Sequence, residues 1–280
     1  MDEPNRKRRW YQFRLRTLMI FVLISAIPCA LLGRKFERKR HEREIVDSIK
    51  KAGGTVLYEY ELDPGTPPPG PEWLRRLLGD DFFANIDSAS FDRAGDSEVE
   101  TLEGLTELRG VIFNAGNFSE RGLSNLKELK NLESLDFLGS QVSDDGVACL
   151  GTLSQLESLS FFEAIITDAG LAKLSGLVHL TKLHLTGTTI GDAGIRSLKA
   201  PALKVLGLDG TKVTDEGLNN VAQMALLEDL RLTATEVSDG GIPYLKRLRN
   251  LKRLAIRKTR ISDAGAADLQ ESLPSCKIYR

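Results

Sequence analysis

Leucines fall in a fixed rhythm from Leu108 to the carboxyl end of the chain. Units open at Leu108, Leu132, Leu156, Leu180, Leu203, Leu227 and Leu251, spaced by 24 residues with one step of 23. Each begins L-x-x-L-x-L, as at Leu180, Leu183 and Leu185; the last two, being two apart, point to one face of a strand. The second half reads [ST]-D-x-G-[LI]-x-x-L-x-x-L. Its apolar residues, Leu171, Leu174 and Leu177 in one copy, form a single stripe on a short helix. The pattern therefore predicts strand, turn and helix in every unit. No unit can bury its own leucines, so the seven must stack. The expected fold is α/β: a curved solenoid with a parallel β-sheet on the concave face and short helices on the convex face. An irregular unit through Ile86, Ala89, Phe91, Leu102 and Leu105 precedes the first, and Cys276 and Ile278 begin one more strand at the end.

Three polar positions recur with the leucines. The aspartates at 144, 168, 192, 215, 239 and 263, or the Ser/Thr before each, suit a helix amino-terminal cap. A calcium loop would gather its oxygens within about a dozen residues, whereas these recur once per repeat. The glycines at 122, 146, 170, 194, 217, 241 and 265 let the first helical turn press on its neighbour without a Cβ. Position nine carries Ser140, Thr188, Thr211, Thr235 and Thr259, hydroxyls suited to turn backbone groups that stacking buries.

The amino-terminal part follows a different pattern. Residues 17–33 carry no charge and are fenced by Arg16 and Arg34. As a helix the run covers roughly 26 Å, enough to span a bilayer when the arginines snorkel. A core helix would show a polar face, and this run has none. A cleaved signal peptide competes, given Arg6 to Arg9, but no small-x-small site follows, and Ile27-Pro28 before Cys29 does not suit lipid attachment. The run is read as an uncleaved, single-pass transmembrane anchor. Six basic residues before it and eight after it, through residue 51, leave the side of the membrane holding the solenoid undecided.

The chain thus divides into a basic head (1–16), the transmembrane anchor (17–33), a juxtamembrane helix and strand (34–63), a Pro/Gly linker (64–71), an amino-terminal cap with the irregular repeat (72–107) and the solenoid (108–280). The charged run 35–52 is expected to be a solvated stalk helix ending at Gly53-Gly54, followed by a strand over 55–61. Five of the ten prolines lie in 64–71 and make it a stiff spacer. Trp73, Leu74, Leu77 and Leu78 are expected to cover the open end of the array.

Composition adds little and excludes much. Thirty-eight Lys and Arg against 39 Asp and Glu give no bias towards nucleic acid. Three cysteines and three histidines are too few for a disulfide framework or a metalloenzyme. No motif of nucleophile, zinc or phosphate chemistry occurs. No catalytic residue, metal ligand or cofactor is expected.

The repeats resemble those of the leucine-rich-repeat superfamily. The T-x-[IV]-[ST]-D-x-G-L wording is similar to the variant in F-box substrate receptors, but no F-box precedes it, so a ubiquitin-ligase role does not carry over. The whole layout resembles bacterial single-anchor membrane leucine-rich-repeat proteins of unassigned function. The resemblance implies a non-catalytic protein-interaction module; the alternative is a structural, self-associating envelope component. A protein or peptide partner would meet the concave strand positions, with Leu138 and Phe162 as an apolar anchor and His184, Asp209, Arg231 and Arg257 beside them. The far end, with Arg231, Arg253, Arg257, Lys258 and Arg260, is expected to be basic.

Overall fold

The computed structural model describes residues 30–280. Most of the anchor run, 17–29, lies outside the described residues; its last residues, 30–33, are the first turn of helix α1, which runs over 30–51. Among the described residues no helix is long and apolar enough to cross a membrane.

Strands β1 (Thr55–Tyr58), β2 (Ile86–Asp92), β3 (Gly110–Asn114), β5 (Ser134–Leu138), β7 (Ser158–Phe162), β8 (Lys182–His184), β9 (Val205–Gly207), β10 (Asp229–Arg231), β11 (Arg253–Ala255) and β12 (Lys277–Tyr279) form one ten-stranded sheet in chain order. All its pairings are parallel except β1 with β2. Two-residue strands β4 (Asn117–Phe118) and β6 (Gln141–Val142) pair separately. Helix α2 (Glu72–Leu78) precedes the irregular unit. Helices α3 (Asp96–Glu100), α4 (Glu120–Ser124), α5 (Asp144–Leu150), α6 (Asp168–Ala172), α7 (Asp192–Ser197), α8 (Asp215–Val221), α9 (Ile242–Leu245) and α10 (Asp263–Ser272) each follow a strand.

Register explains the leucine rhythm. Leu135, Leu159, Leu183, Leu206, Leu230 and Leu254 pair in sequence across adjacent strands and are fully buried. The next inward position holds Phe91, Phe113, Phe137 and Phe161, whose rings stack at 5.5–5.7 Å between centroids. From the fourth repeat onward Leu185, Leu208, Leu232 and Ile256 take over that position, all buried. Offset ring stacking adds to burial at the amino-terminal half of the array.

The recurring Asp and Gly form one joint between neighbouring repeats. The Ser or Thr caps its own helix: Thr214 Oγ1 accepts from Glu216 N at 3.2 Å and Ser262 Oγ from Gly265 N at 3.0 Å. The Asp reaches instead into the following repeat. Asp192 accepts from Thr214 N at 2.8 Å and Thr214 Oγ1 at 2.7 Å; Asp144 does the same with Thr167, and Asp215 with Ser238. Asp96, Asp168 and Asp239 accept from Ser119 N, Gly191 N and Ser262 N. These bonds, backbone first, hold the Asp239 carboxyl below the usual carboxylate range. The repeat glycine makes room for this carboxylate: a Cβ at Gly170, Gly194, Gly217, Gly241 or Gly265 would lie under 3.0 Å from the Asp of the preceding repeat. Glu120 occupies the Asp position of the first repeat, and there the glycine, Gly146, faces Leu123 instead.

The array's amino-terminal end is closed differently from the expectation. Ile45, Val46 and Ile49 of α1 are buried in the same core as Ile86, Leu102 and Leu105, with Ile49 wholly inaccessible. The helix ends as expected at Gly53, with φ of 80°. Gly54 N donates to Ile49 O and Gly53 N to Lys50 O, the paired bonds of a left-handed helix terminus. α1 is therefore a docked cap, not a solvated stalk. Its own Lys39 is buried and donates to Ala84 O at 2.6 Å and Glu42 at 2.5 Å. Trp73 and Leu77, expected to cover the open end, are instead 68% and 74% exposed. On α2 only the opposite face, Leu74 and Leu78, turns inward.

Candidate functional site

A strand in a sheet covered on one side presents alternate residues to solvent on the other. The central outward positions pair in register from β3 to β11: Ile112, Asp136, Ser160, His184, Gly207, Arg231 and Ala255. Leu138 pairs with Phe162 at the next outward position, so the two apolar candidates are neighbours. Phe162 is 41% exposed and Leu138 half-buried. A large aromatic held open on a rigid strand, beside a second apolar side chain, can anchor a partner.

His184 lies on the next strand with its imidazole over the backbone of Gly207; a Cβ at Gly207 would sit 2.5 Å from Nδ1. Burial first, then the nearby Arg231 charge, pushes the imidazole pKa down. The ring is neutral at pH 7 and offers one donor and one acceptor. Among the described residues no group of three His, Cys, Asp or Glu could hold a metal ion.

Asp209 and Arg231 act as a unit. Asp209 is buried; its Oδ1 accepts from Thr233 N at 2.9 Å, and Oδ2 lies 2.8 Å from Arg231 Nε. That second approach is a close charge pair without an aligned hydrogen bond. Asp209 thus holds Arg231 over the sheet, and Arg231 is the exposed half of the pair. Arg257, exposed, donates through Nε to Arg280 O at 3.0 Å.

The far end is less basic than its arginines suggest. Arg253 pairs with Asp229 at 2.7 Å, Lys252 with Glu228 at 2.7 Å and Arg260 with Glu236 at 3.2 Å. Each acid stands 24 residues earlier, in the same column of the neighbouring repeat. Aligning the repeats column by column would have disclosed these pairs. Asp136, a central strand position by spacing, stands between Ile112 and Ser160, and burial raises its pKa.

The position-nine hydroxyls are structural. Thr188, Thr211 and Thr235 are buried and each donates to the carbonyl three residues earlier at 2.7 Å. Ser140 reaches further, accepting from Gly116 N at 3.0 Å and bonding Phe113 O at 3.2 Å in the preceding repeat.

The family model described as Leucine Rich repeat matches residues 176–199, across the junction of the third and fourth repeats. No curated protein matches the chain. Among solved structures, internalin C2 of Listeria monocytogenes is similar at a TM-score of 0.54 and 20% identity, over 69% of this chain and 80% of that one. The mouse RP105/MD-1 complex is similar at a TM-score of 0.50 and 17% identity, over 64% of this chain and 30% of that one. At such identities the likeness shows the fold. The matched stretch lies within the seven in-phase repeats, and the fold is a solenoid of the leucine-rich-repeat type.

Proposed function

We propose that this chain is a membrane-tethered, non-catalytic interaction module that holds a protein or peptide on the concave face of its sheet. The carrying observation is the open strand face, on which Phe162 stands exposed beside Leu138 with neutral His184 and the fixed Arg231 within the same register. A rigid sheet presents these groups in place, so a partner meets little ordering cost on this side. The mouse RP105/MD-1 structure, of the same fold, is a complex, which agrees with this use of the scaffold. The tether is the uncharged run 17–33.

The test is capture from native membranes with the full chain and with a Phe162→Glu variant. One dominant heterologous protein, lost with the variant, is the expected result. Recovery of the chain itself alone would replace this reading with the self-associating one. A partner retained equally by the variant would move binding off this face.

A further inference from the structure

Among the described residues, α1 and α2 leave one apolar face without a partner. Leu31, Leu32 and Phe36 on α1 are 60%, 52% and 48% exposed, and Trp73 and Leu77 on α2 are more exposed still. Leu32 and Phe36 are four apart on one helix, as are Trp73 and Leu77 on the other, so each pair shares a face. Phe36 and Leu77 line the same groove between the helices, of about 400 Å³, together with Arg40. These two helices thus display five exposed apolar side chains, two of them aromatic, a surplus of the kind that marks a binding surface.

What covers it follows from the run that precedes α1 in the sequence. The uncharged run 17–33 feeds directly into α1. Phe36 lies three residues, about 4.5 Å, beyond Gly33 along the helix axis. Lys39, buried against Ala84, puts the folded body about 9 Å beyond the same point. If the run spans a bilayer, this patch lies at headgroup depth. Its charge suits that depth too: residues 34–40 hold Arg34, Lys35, Arg38, Lys39 and Arg40 against Glu37 alone. Arg34, Arg38 and Arg40 are exposed, and such side chains snorkel to phosphate while their stems stay apolar. An exposed tryptophan is the residue enriched at the membrane–water interface.

We propose that the face formed by Leu32, Phe36, Trp73 and Leu77 seats the amino-terminal end of the solenoid in the interface of an anionic lipid bilayer. The inference rests on the tether proposed above. It replaces a spacer that holds the array away from the membrane with a cap that rests on it, α1 joining anchor to core without a flexible segment.

Tryptophan fluorescence tests this, because the chain has two tryptophans, Trp10 and Trp73. The full chain carrying Trp10→Phe is reconstituted into vesicles of phosphatidylserine and phosphatidylcholine, with and without brominated acyl chains. The expected result is blue-shifted Trp73 emission, quenched by brominated lipid and shielded several-fold from acrylamide. Leu77→Glu should abolish the quenching while the protein stays in carbonate-washed vesicles with an unchanged circular dichroism spectrum. A water-like Trp73 in carbonate-resistant protein overturns the seating and leaves the tether intact. Release by carbonate overturns the tether. The released chain, mixed with fresh vesicles, then decides the surface by the same quenching, whose absence overturns it. Shielding of Trp73 without lipid also overturns it: a second copy is the occupant if cross-linking gives a dimer, and residues 1–29 of the same chain if it does not.

Discussion

Removing Asp192 separates two readings of the recurring aspartate. Were it a cap for its own helix, Asp192→Ala would cost about 1 kcal/mol and leave Gly217 indifferent. In the structure it accepts two bonds from Thr214 of the next repeat, at 2.8 Å and 2.7 Å. Hydrogen bonds to a charged group contribute about 1.5 kcal/mol each at the lower end, so the loss comes to about 3 kcal/mol. At about 2–4 °C per kcal/mol for a domain of this size, the melting temperature should fall by about 6–12 °C. Gly217→Ala places a Cβ against Asp192 Oδ1 and expels the carboxylate. It forfeits the same bonds but gains about 1 kcal/mol of helix propensity, a net loss of about 2 kcal/mol. With Asp192 already gone there is no carboxylate to expel, so the double variant should lose about 2 kcal/mol where additivity demands about 5. The assay is thermal unfolding of the full chain in detergent by circular dichroism. Hydrogen exchange of residues 203–221 reads the joint locally, since repeat arrays need not melt in one step. Additive losses, or an Asp192→Ala cost near 1 kcal/mol without coupling, would refute the inter-repeat joint.

The same array yields three further tests. Position eight of the repeats is left-handed throughout, as glycine at Gly139, Gly187 and Gly210 and as Ala115, Glu163, Ala234 and Lys258 elsewhere. Ala234→Gly should therefore stabilise by about 0.5–1 kcal/mol, and Gly210→Ala should destabilise by a similar amount, in thermal melts; the added Cβ meets nothing closer than 3.7 Å, so the effect is backbone strain alone. Ile49→Ala should cost about 2–5 kcal/mol and raise hydrogen exchange in 86–105, because α1 closes the core there; unchanged protection would show that the cap is dispensable. Burial raises the Asp136 pKa from its ordinary value of 3.8, so its native state holds the proton more tightly and loses stability as pH rises through the folded-state value. Asp136→Asn should raise the melting temperature at pH 7 and bring no gain at a pH below that ordinary value; an advantage constant with pH would refute the assignment to ionisation.

The repeats were legible because a solenoid is close to one-dimensional. Leu183 and Leu185, or Leu171, Leu174 and Leu177, state their burial through spacing alone, and each neighbour repeats the statement. Partners one repeat away were the part that spacing within a unit could not show. Asp192 and Thr214 stand 22 apart and Glu228 and Lys252 stand 24 apart, so neither pair falls within one copy of the motif. Asp215 looked like a local cap because the true cap, Thr214, sits next to it. On the strand face, Leu138 and Phe162 followed from alternation, whereas the burial of Asp209 under Arg231 depends on a turn geometry that alternation does not specify. The left-handed position was hidden for a related reason: glycine marks it in only some repeats, and Ala115 or Lys258 carries no such signal.

The amino-terminal end was hardest because two demands share one helix. In 35–52 the stripe Ile45, Val46 and Ile49 is three residues among charges, too sparse to outweigh them by composition. Its burial follows from the needs of the array: the first parallel strands have leucines with no preceding repeat, and something must lie on them. α2 carried the more apolar sequence, so it was the natural candidate for that place. Yet its inward Leu74 and Leu78 make only half a face, and its bulkiest side chain, Trp73, turns away from the core. A tryptophan displayed there would be a liability on a freely diffusing protein. In the proposed membrane seating it has an environment that suits it. In the proposed seating the surplus of apolar surface at this end is divided between two solvents: α1 turns its stripe to the protein core, and α2, with the first turns of α1, turns its own towards lipid.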